Sequence, residues 1–247
     1  MDPSNPVQQI STGQTVDLPL QCEFTMVGGL FPASYERLAE QLPSNRLSPI
    51  HIAPRTGVVA FISIEYHRIG EFEPYNEFGV VIPVTCDAAV TAPVAEVVGA
   101  ALGGYVHYLP VTTEPSVALG TEIWGYPKEL ADITIQDGGK IRRTTVSINE
   151  EPVIRLDVQR AWTRQQQMTV HSYTNHDGEL LRTQVDLAGP FAVRPFSQQA
   201  SYRLGEHRRA AELGRLGLRD RPLGRLYASH MRARIHAGEP SRLSSTP

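Results

Sequence analysis

Gly120-Thr121-Glu122-Ile123-Trp124-Gly125-Tyr126-Pro127-Lys128-Glu129-Leu130 is the stretch on which the reading of this 247-residue chain turns. Of 23 basic side chains only Lys128 and Lys140 are lysines; the other 21 are arginines. Arginine replaces lysine wherever only a positive charge is needed, but it cannot be deprotonated in a protein and so cannot serve as an amine nucleophile. A lysine that persists against such a bias is suspect. Lys140 follows Asp137-Gly138-Gly139 and reads as a hairpin tip. Lys128, wedged behind Tyr-Pro among apolar residues, reads as a candidate nucleophile. Proline disfavours helical geometry at Tyr126, so Lys128 is expected just past a helix end, in extended or turn backbone.

Working outward, Thr113-Glu114-Pro115 is a fair helix start, with proline in the first turn, and Ser116 to Trp124 is the helix that delivers the chain to Lys128. Upstream, Val16, Leu18, Leu20, Cys22, Phe24 and Met26 fall on alternate positions, the period of a half-buried strand. Ser34 looks like the N-cap of a short helix carrying Tyr35, Leu38, Ala39 and Leu42 and ended by Pro43. Strands are expected from Gly57 to Ile64, continuing through Tyr66 and His67, from Phe78 to Val84, and from Gly103 to Val111. Downstream the pattern is a meander: Ala131–Gln136, Ile141–Ile148, Val153–Val158, Met168–Tyr173 and Leu180–Leu187, with turn chemistry between them. Glu206–Leu213 suits a late helix, while Leu223–Ile235 fits helix and strand equally. The expected class is α+β, mainly antiparallel β closing into a barrel or cone, with a few short helices.

Composition narrows the function. A net charge of −3 argues against a general role in binding polyanions. The arginines between Arg203 and Arg242 read as solvated surface or oligomer contacts, because aromatics for base stacking are scarce. Cys22 and Cys86 form no ligand pattern, so they read as buried thiols rather than a disulfide or zinc site. Met1-Asp2-Pro3-Ser4-Asn5-Pro6 is no signal-like start and no segment reaches transmembrane length, so a cytoplasmic protein is expected, without membrane or nucleic-acid partners. Dinucleotide, P-loop, zincin and serine-hydrolase motifs are missing. His67 and His107, on expected strands, read as hydrogen-bonded core residues.

The segment Glu114-Pro115-Ser116-Val117-Ala118-Leu119 followed by Gly120 to Leu130 resembles the active-site segment of the acetoacetate decarboxylase family, with its similar Glu-Pro…Gly-x-Glu-Leu…Tyr-Pro-Lys pattern. Pro74-Tyr75-Asn76-Glu77-Phe78-Gly79, followed by Ile82-Pro83-Val84, is similar to the family segment whose glutamate lies in the pocket; His67 and Tyr105-Val106-His107 also fit. The likeness spans about Val58 to Val158. It implies a barrel- or cone-like core of that type, one domain over residues 1–247, and a homo-oligomer. It further implies a lyase in which Lys128 forms a Schiff base with a small keto acid, without metal or organic cofactor. Glu77 would position substrate or relay a proton, and Tyr126 and Ile62 would contact substrate. Decarboxylation of a β-keto acid is the leading reaction, aldol condensation with dehydration the runner-up, and silent binding of an apolar small molecule the rival from another class.

A lysine is nucleophilic only as the free amine, whereas in water the group titrates near ~10.4. Desolvation or an adjacent cation can favour the free amine, acetoacetate decarboxylase being itself the standing example. The family commonly has a second lysine after the nucleophile, where this chain has Glu129. Neighbouring side chains of an extended backbone point to opposite faces, so Glu129 is expected to face away, solvated or paired with an arginine, leaving burial as the activating influence. The family's N-terminal pocket arginine has no counterpart around Gln21-Cys22-Glu23, the first arginine being Arg37. The position of its second pocket glutamate falls on Ile62. Both departures make the expected pocket less polar.

Overall fold

The structure is a computed structural model that describes residues 7–87 and 104–241. Met1 to Pro6, Gly103 and Arg242, on which some sequence expectations fall, lie outside the described residues. Seven long strands organise it: β1 (Leu20–Ser34), β2 (Thr56–Ile69), β3 (Asn76–Ile82), β4 (Gly104–Val111), β5 (Arg164–His176), β6 (Glu179–Pro195) and β7 (Gly224–Pro240). Their hydrogen-bonded circuit runs β7-β1-β2-β3-β4-β5-β6 and returns to β7, so the sheet closes into a barrel. Closure pairs strand edges that would otherwise be left open. Every junction is antiparallel except β4–β5, which is parallel and carries only the pairs Ser172↔Gly104 and Tyr173↔Tyr105.

A second, four-stranded antiparallel sheet (Asp132–Gly138, Ile141–Ile148, Glu151–Gln159 and Ala200–Leu204) covers the outside of β1, β2 and β3. There are accordingly two cores. Phe24, Met26, Ile62, Leu119 and Met231 fill the barrel interior, whereas Phe31, Phe61 and Phe78 pack outward against Val146, Ile154 and Leu156. This explains the unbroken apolar run at Val58–Ile62: even positions face the interior and Val59 and Phe61 face the second sheet.

Most expected elements are present, with instructive differences. The alternating residues from Val16 to Met26 are all buried, but they are divided between a short strand Thr15–Asp17 and β1, which continues to Ser34 with both faces covered. Leu223–Ile235, ambiguous in sequence, is strand β7. A register shift between Ala228 and Met231 switches the inward set from Leu226 and Ala228 to Met231 and Ala233, which breaks the period-2 signature. Ala200–Leu204 is a further strand that the sequence pattern does not predict.

Three helices lie among the described residues. α1 (Tyr35–Ala39) is capped by the Ser34 hydroxyl, which accepts from the Arg37 N–H, and stops short of Pro43. α2 (Glu114–Trp124) is capped by Thr113, and α3 (Arg208–Gly214) by His207. No described helix is long and apolar enough to cross a membrane.

Candidate active site

α2 closes one side of the barrel interior and sets the approach of Lys128. Gly125 ends the helix with a left-handed backbone, φ 62°, and its N–H bonds to the Thr121 carbonyl. A Cβ at Gly125 would also lie 2.6 Å from the Cβ of His176, so the turn needs glycine for both angle and space. Three residues later Lys128 begins the strand Lys128–Leu130, parallel to β4 with Lys128 opposite Leu109. The lysine thus sits just past a helix end, as the Tyr-Pro dipeptide predicts. Its side chain runs back over α2 at Gly120. A Cβ there would be 2.5 Å from Lys128 Cδ and 3.1 Å from Nζ, and closer still to Cε.

β3 supplies the acid. Glu77 pairs with Ile64 on β2 and Val111 on β4, and its carboxylate Oε2 lies 2.8 Å from Lys128 Nζ. Only 4% of the lysine side chain and 7% of the glutamate's is exposed. Nζ also donates to the Tyr75 hydroxyl at 3.2 Å and lies 5.2 Å from that ring's centre. The Tyr66 hydroxyl donates to Glu77 Oε1 at 3.4 Å. Burial foremost, and then the Glu77 carboxylate, push the Tyr66 and Tyr75 phenols well above their usual range, which keeps both as neutral donors. Tyr126 is likewise pushed up by burial, and its hydroxyl is 2.8 Å from that of Ser172 on β5.

These groups open onto a cavity of about 140 Å³ in the barrel interior. Ile62 and Tyr126, expected to contact substrate, both line it beside Lys128 and Glu77. Lys128 and Glu77 are the only amine and carboxyl group among the described residues of its wall, and as an ion pair their charges cancel. Removing two charges from water is costly unless each finds the other with further hydrogen bonds, and the two phenols supply those. Chemically, the cavity holds an amine in direct contact with a carboxylate able to take its proton and return it.

Glu129 faces away from this pair. Its carboxylate accepts from Arg209 at 2.6 Å and from the Tyr108 hydroxyl at 2.6 Å. Burial raises the Glu129 carboxyl, but those hydrogen bonds outweigh it and hold the group below its ordinary range. Glu122, which accepts from the Ser11 N–H at 2.9 Å, lies outside the cavity. The expectation of hydrogen-bonded core histidines fails for His67 in its placement, since it points outward, exposed, 2.8 Å from the Thr25 hydroxyl, whereas His107 is half-buried beside Arg209 and Glu212, its imidazole pushed down by burial. Neither lines the cavity. Cys22 is buried as expected and its thiol is pushed up by burial and then by Glu77, while Cys86 is only half-buried. Among the described residues no three metal-binding side chains come together.

Tyr66, Tyr75, Ser172 and Gly120 were assigned no role from sequence. Period-2 alternation would have found two of them, because Tyr75 shares a face with Glu77, and Tyr66 with Ile62 and Ile64. Ser172 and Gly120 carry no local signal. A larger open cleft of about 660 Å³ lies on the outer face of β1, β6 and β7. Across its strands Glu23 lies opposite both Arg232 and Arg68, and Asp186 opposite Arg234, so three arginines face two acids, and its described lining contains no lysine.

Known proteins give this geometry a context. The profile of the acetoacetate decarboxylase (ADC) family matches residues 4–240, well beyond the Val58–Val158 stretch in which the likeness is legible by eye. A solved acetoacetate decarboxylase superposes with TM-score 0.66 at 16% identity, covering 92% of this chain and 91% of that one. The acetoacetate decarboxylase of Legionella pneumophila gives 0.63 at 17%, over 98% and 92%. The enduracididine biosynthesis enzyme MppR, complexed with the condensation product of pyruvate and imidazole 4-carboxaldehyde, gives 0.62 at 11%, over 90% and 88%. Among curated proteins none matches by sequence. The mainly antiparallel barrel and the match over nearly the whole length lead to one conclusion: the chain belongs to the acetoacetate decarboxylase family.

Proposed function

We propose that the protein is a Schiff-base lyase in which Lys128 condenses with a keto acid and Glu77 carries the protons. The buried Lys128–Glu77 contact of 2.8 Å inside an apolar cavity is the observation that supports this reading. Transfer of one proton from Nζ to Glu77 leaves a free amine. Nζ then attacks the substrate carbonyl, the former carbonyl oxygen takes one proton from the attacking nitrogen and a second from Glu77, and water leaves. The result is an iminium facing a carboxylate, which preserves the charge balance of the resting pair. With a β-keto acid, the bond to the carboxylate carbon breaks, CO2 departs, and its electron pair enters the iminium to give an enamine. Protonation at carbon and addition of water release the ketone and restore the lysine.

Aldol condensation with dehydration on the same lysine is the second reading. It is favoured by a pocket with no arginine among its described residues and by the condensation product held by MppR, a protein of the same fold. Both readings treat the chain as one functional unit, acting in the cytoplasm as a homo-oligomer on a small keto acid. The test is borohydride reduction in the presence of candidate keto acids: substrate mass should appear on Lys128 and be lost in Lys128→Arg. Folded protein that gains no mass across a broad panel would refute it. An apolar-ligand affinity that survives Lys128→Arg unchanged would favour a silent binder.

A further inference from the structure

The cavity's wall constrains the part of the substrate that does not react. Around the Lys128–Glu77 pair the remaining polar groups are spoken for: Tyr66 and Tyr75 point at the pair, and Tyr126 and Ser172 bond to each other. Beyond them the wall formed by the described residues is hydrocarbon, contributed by Phe24, Ile62, Ile64, Leu119, Val170 and Ile235 from four strands and α2. The space of about 140 Å³ is that of roughly four to five waters.

An iminium at Lys128 leaves one positive charge for a substrate carboxylate, shared with Glu77. A second charge, or a hydroxyl farther along the chain, would lose its water against Ile64 and Val170 and gain no partner. That loss corresponds to roughly 5- to 150-fold in affinity for a neutral polar group, and more for an ion. A methylene in the same place gains about fourfold.

We propose that the site takes 3-oxo acids whose far end is an uncharged hydrocarbon chain, and that chain length up to the filling of the cavity sets its specificity. This rests on Lys128 being the Schiff-base nucleophile. The carboxylate that leaves as CO2 lies next to the iminium, and the alkyl tail fills the space between β2, β5, β7 and α2.

The wild-type protein tests this without any variant. Values of kcat/KM for CO2 release are compared for 3-oxobutanoate, 3-oxopentanoate, 3-oxohexanoate and the dicarboxylate 3-oxoadipate, with borohydride adducts at Lys128 measured for each. The expected result is a rise of about fourfold per methylene through the monocarboxylates, with 3-oxoadipate at least tenfold below 3-oxohexanoate. Adducts that form on Lys128 with a flat series, or with 3-oxoadipate preferred, would overturn the specificity proposal and leave the lyase reading standing. No adduct from any of the four would overturn both.

Discussion

Gly120→Ala adds one methyl group on the face of α2 that Lys128 crosses. The new carbon would lie 2.5 Å from Lys128 Cδ and 3.1 Å from Nζ. Carbon atoms pack comfortably at about 3.5 to 4.0 Å, so roughly 1 Å must be found, and the flexible lysine is the part that yields. The backbone favours the change, since alanine is better than glycine inside a helix by about 0.8 to 1.0 kcal/mol. Overfilling a packed site typically costs about 1 to 3 kcal/mol. The difference leaves a net cost of about 0 to 2 kcal/mol, and at about 2 to 4 °C per kcal/mol Tm should fall by less than about 8 °C. Chemistry should suffer far more. Displacing a reacting group by about 1 Å costs on the order of 100-fold, or about 2.7 kcal/mol of barrier. The assay is the rate of borohydride-trapped adduct at Lys128, followed by intact mass, with thermal melts on the same samples. A folded Gly120→Ala protein that traps ketone at the wild-type rate would refute the reasoning, because the lysine would then be working from somewhere other than its place beside Gly120.

Lys128→Arg keeps a positive charge opposite Glu77 but removes the amine, so trapping and turnover should both vanish while Lys140→Arg, at its hairpin tip, leaves them unchanged; mass spectrometry after reduction decides. Glu77→Gln should slow imine formation by about 10²- to 10⁴-fold in single-turnover measurements. It should also lower stability by about 3 to 5 kcal/mol in denaturant titrations, since a buried ammonium loses its counter-charge; a variant as active as wild type would exclude Glu77 from proton transfer. Because Arg209 and Tyr108 hold the Glu129 carboxyl below its ordinary 4.5, that group contributes stability that is complete above this value and is lost as pH falls through its lower folded value. Glu129→Gln should therefore flatten the acid limb of Tm against pH and leave trapping at Lys128 intact; an unchanged acid limb would count against the Arg209 contact.

Much of this was legible in the linear sequence because it depends on local covalent constraints. Scarcity of lysine singled out Lys128, proline placed it beyond a helix end, and alternation in Val16–Met26 marked one face for burial. Turn chemistry marked the meander strands that became the second sheet. The departures have equally definite causes. The shift between Ala228 and Met231 inverted the facing of β7 halfway along, and two covered faces hid the period of β1 beyond Met26. His67, expected in the core from its place on a strand, is turned outward by the pleat, while His107 is half-buried outside the cavity.

By itself, then, the amino-acid order marked Lys128 as the candidate amine and most of the strands, though not Ala200–Leu204 or β7, because these follow from side-chain chemistry and from contacts a few residues apart. Only the closed barrel decided that Lys128, from the end of α2, would meet Glu77, from β3, with Tyr66, Tyr75 and Ile62 around them. That meeting depends on strand registers across the circuit and on the missing side chain of Gly120, and neither is specified by any short stretch of chain.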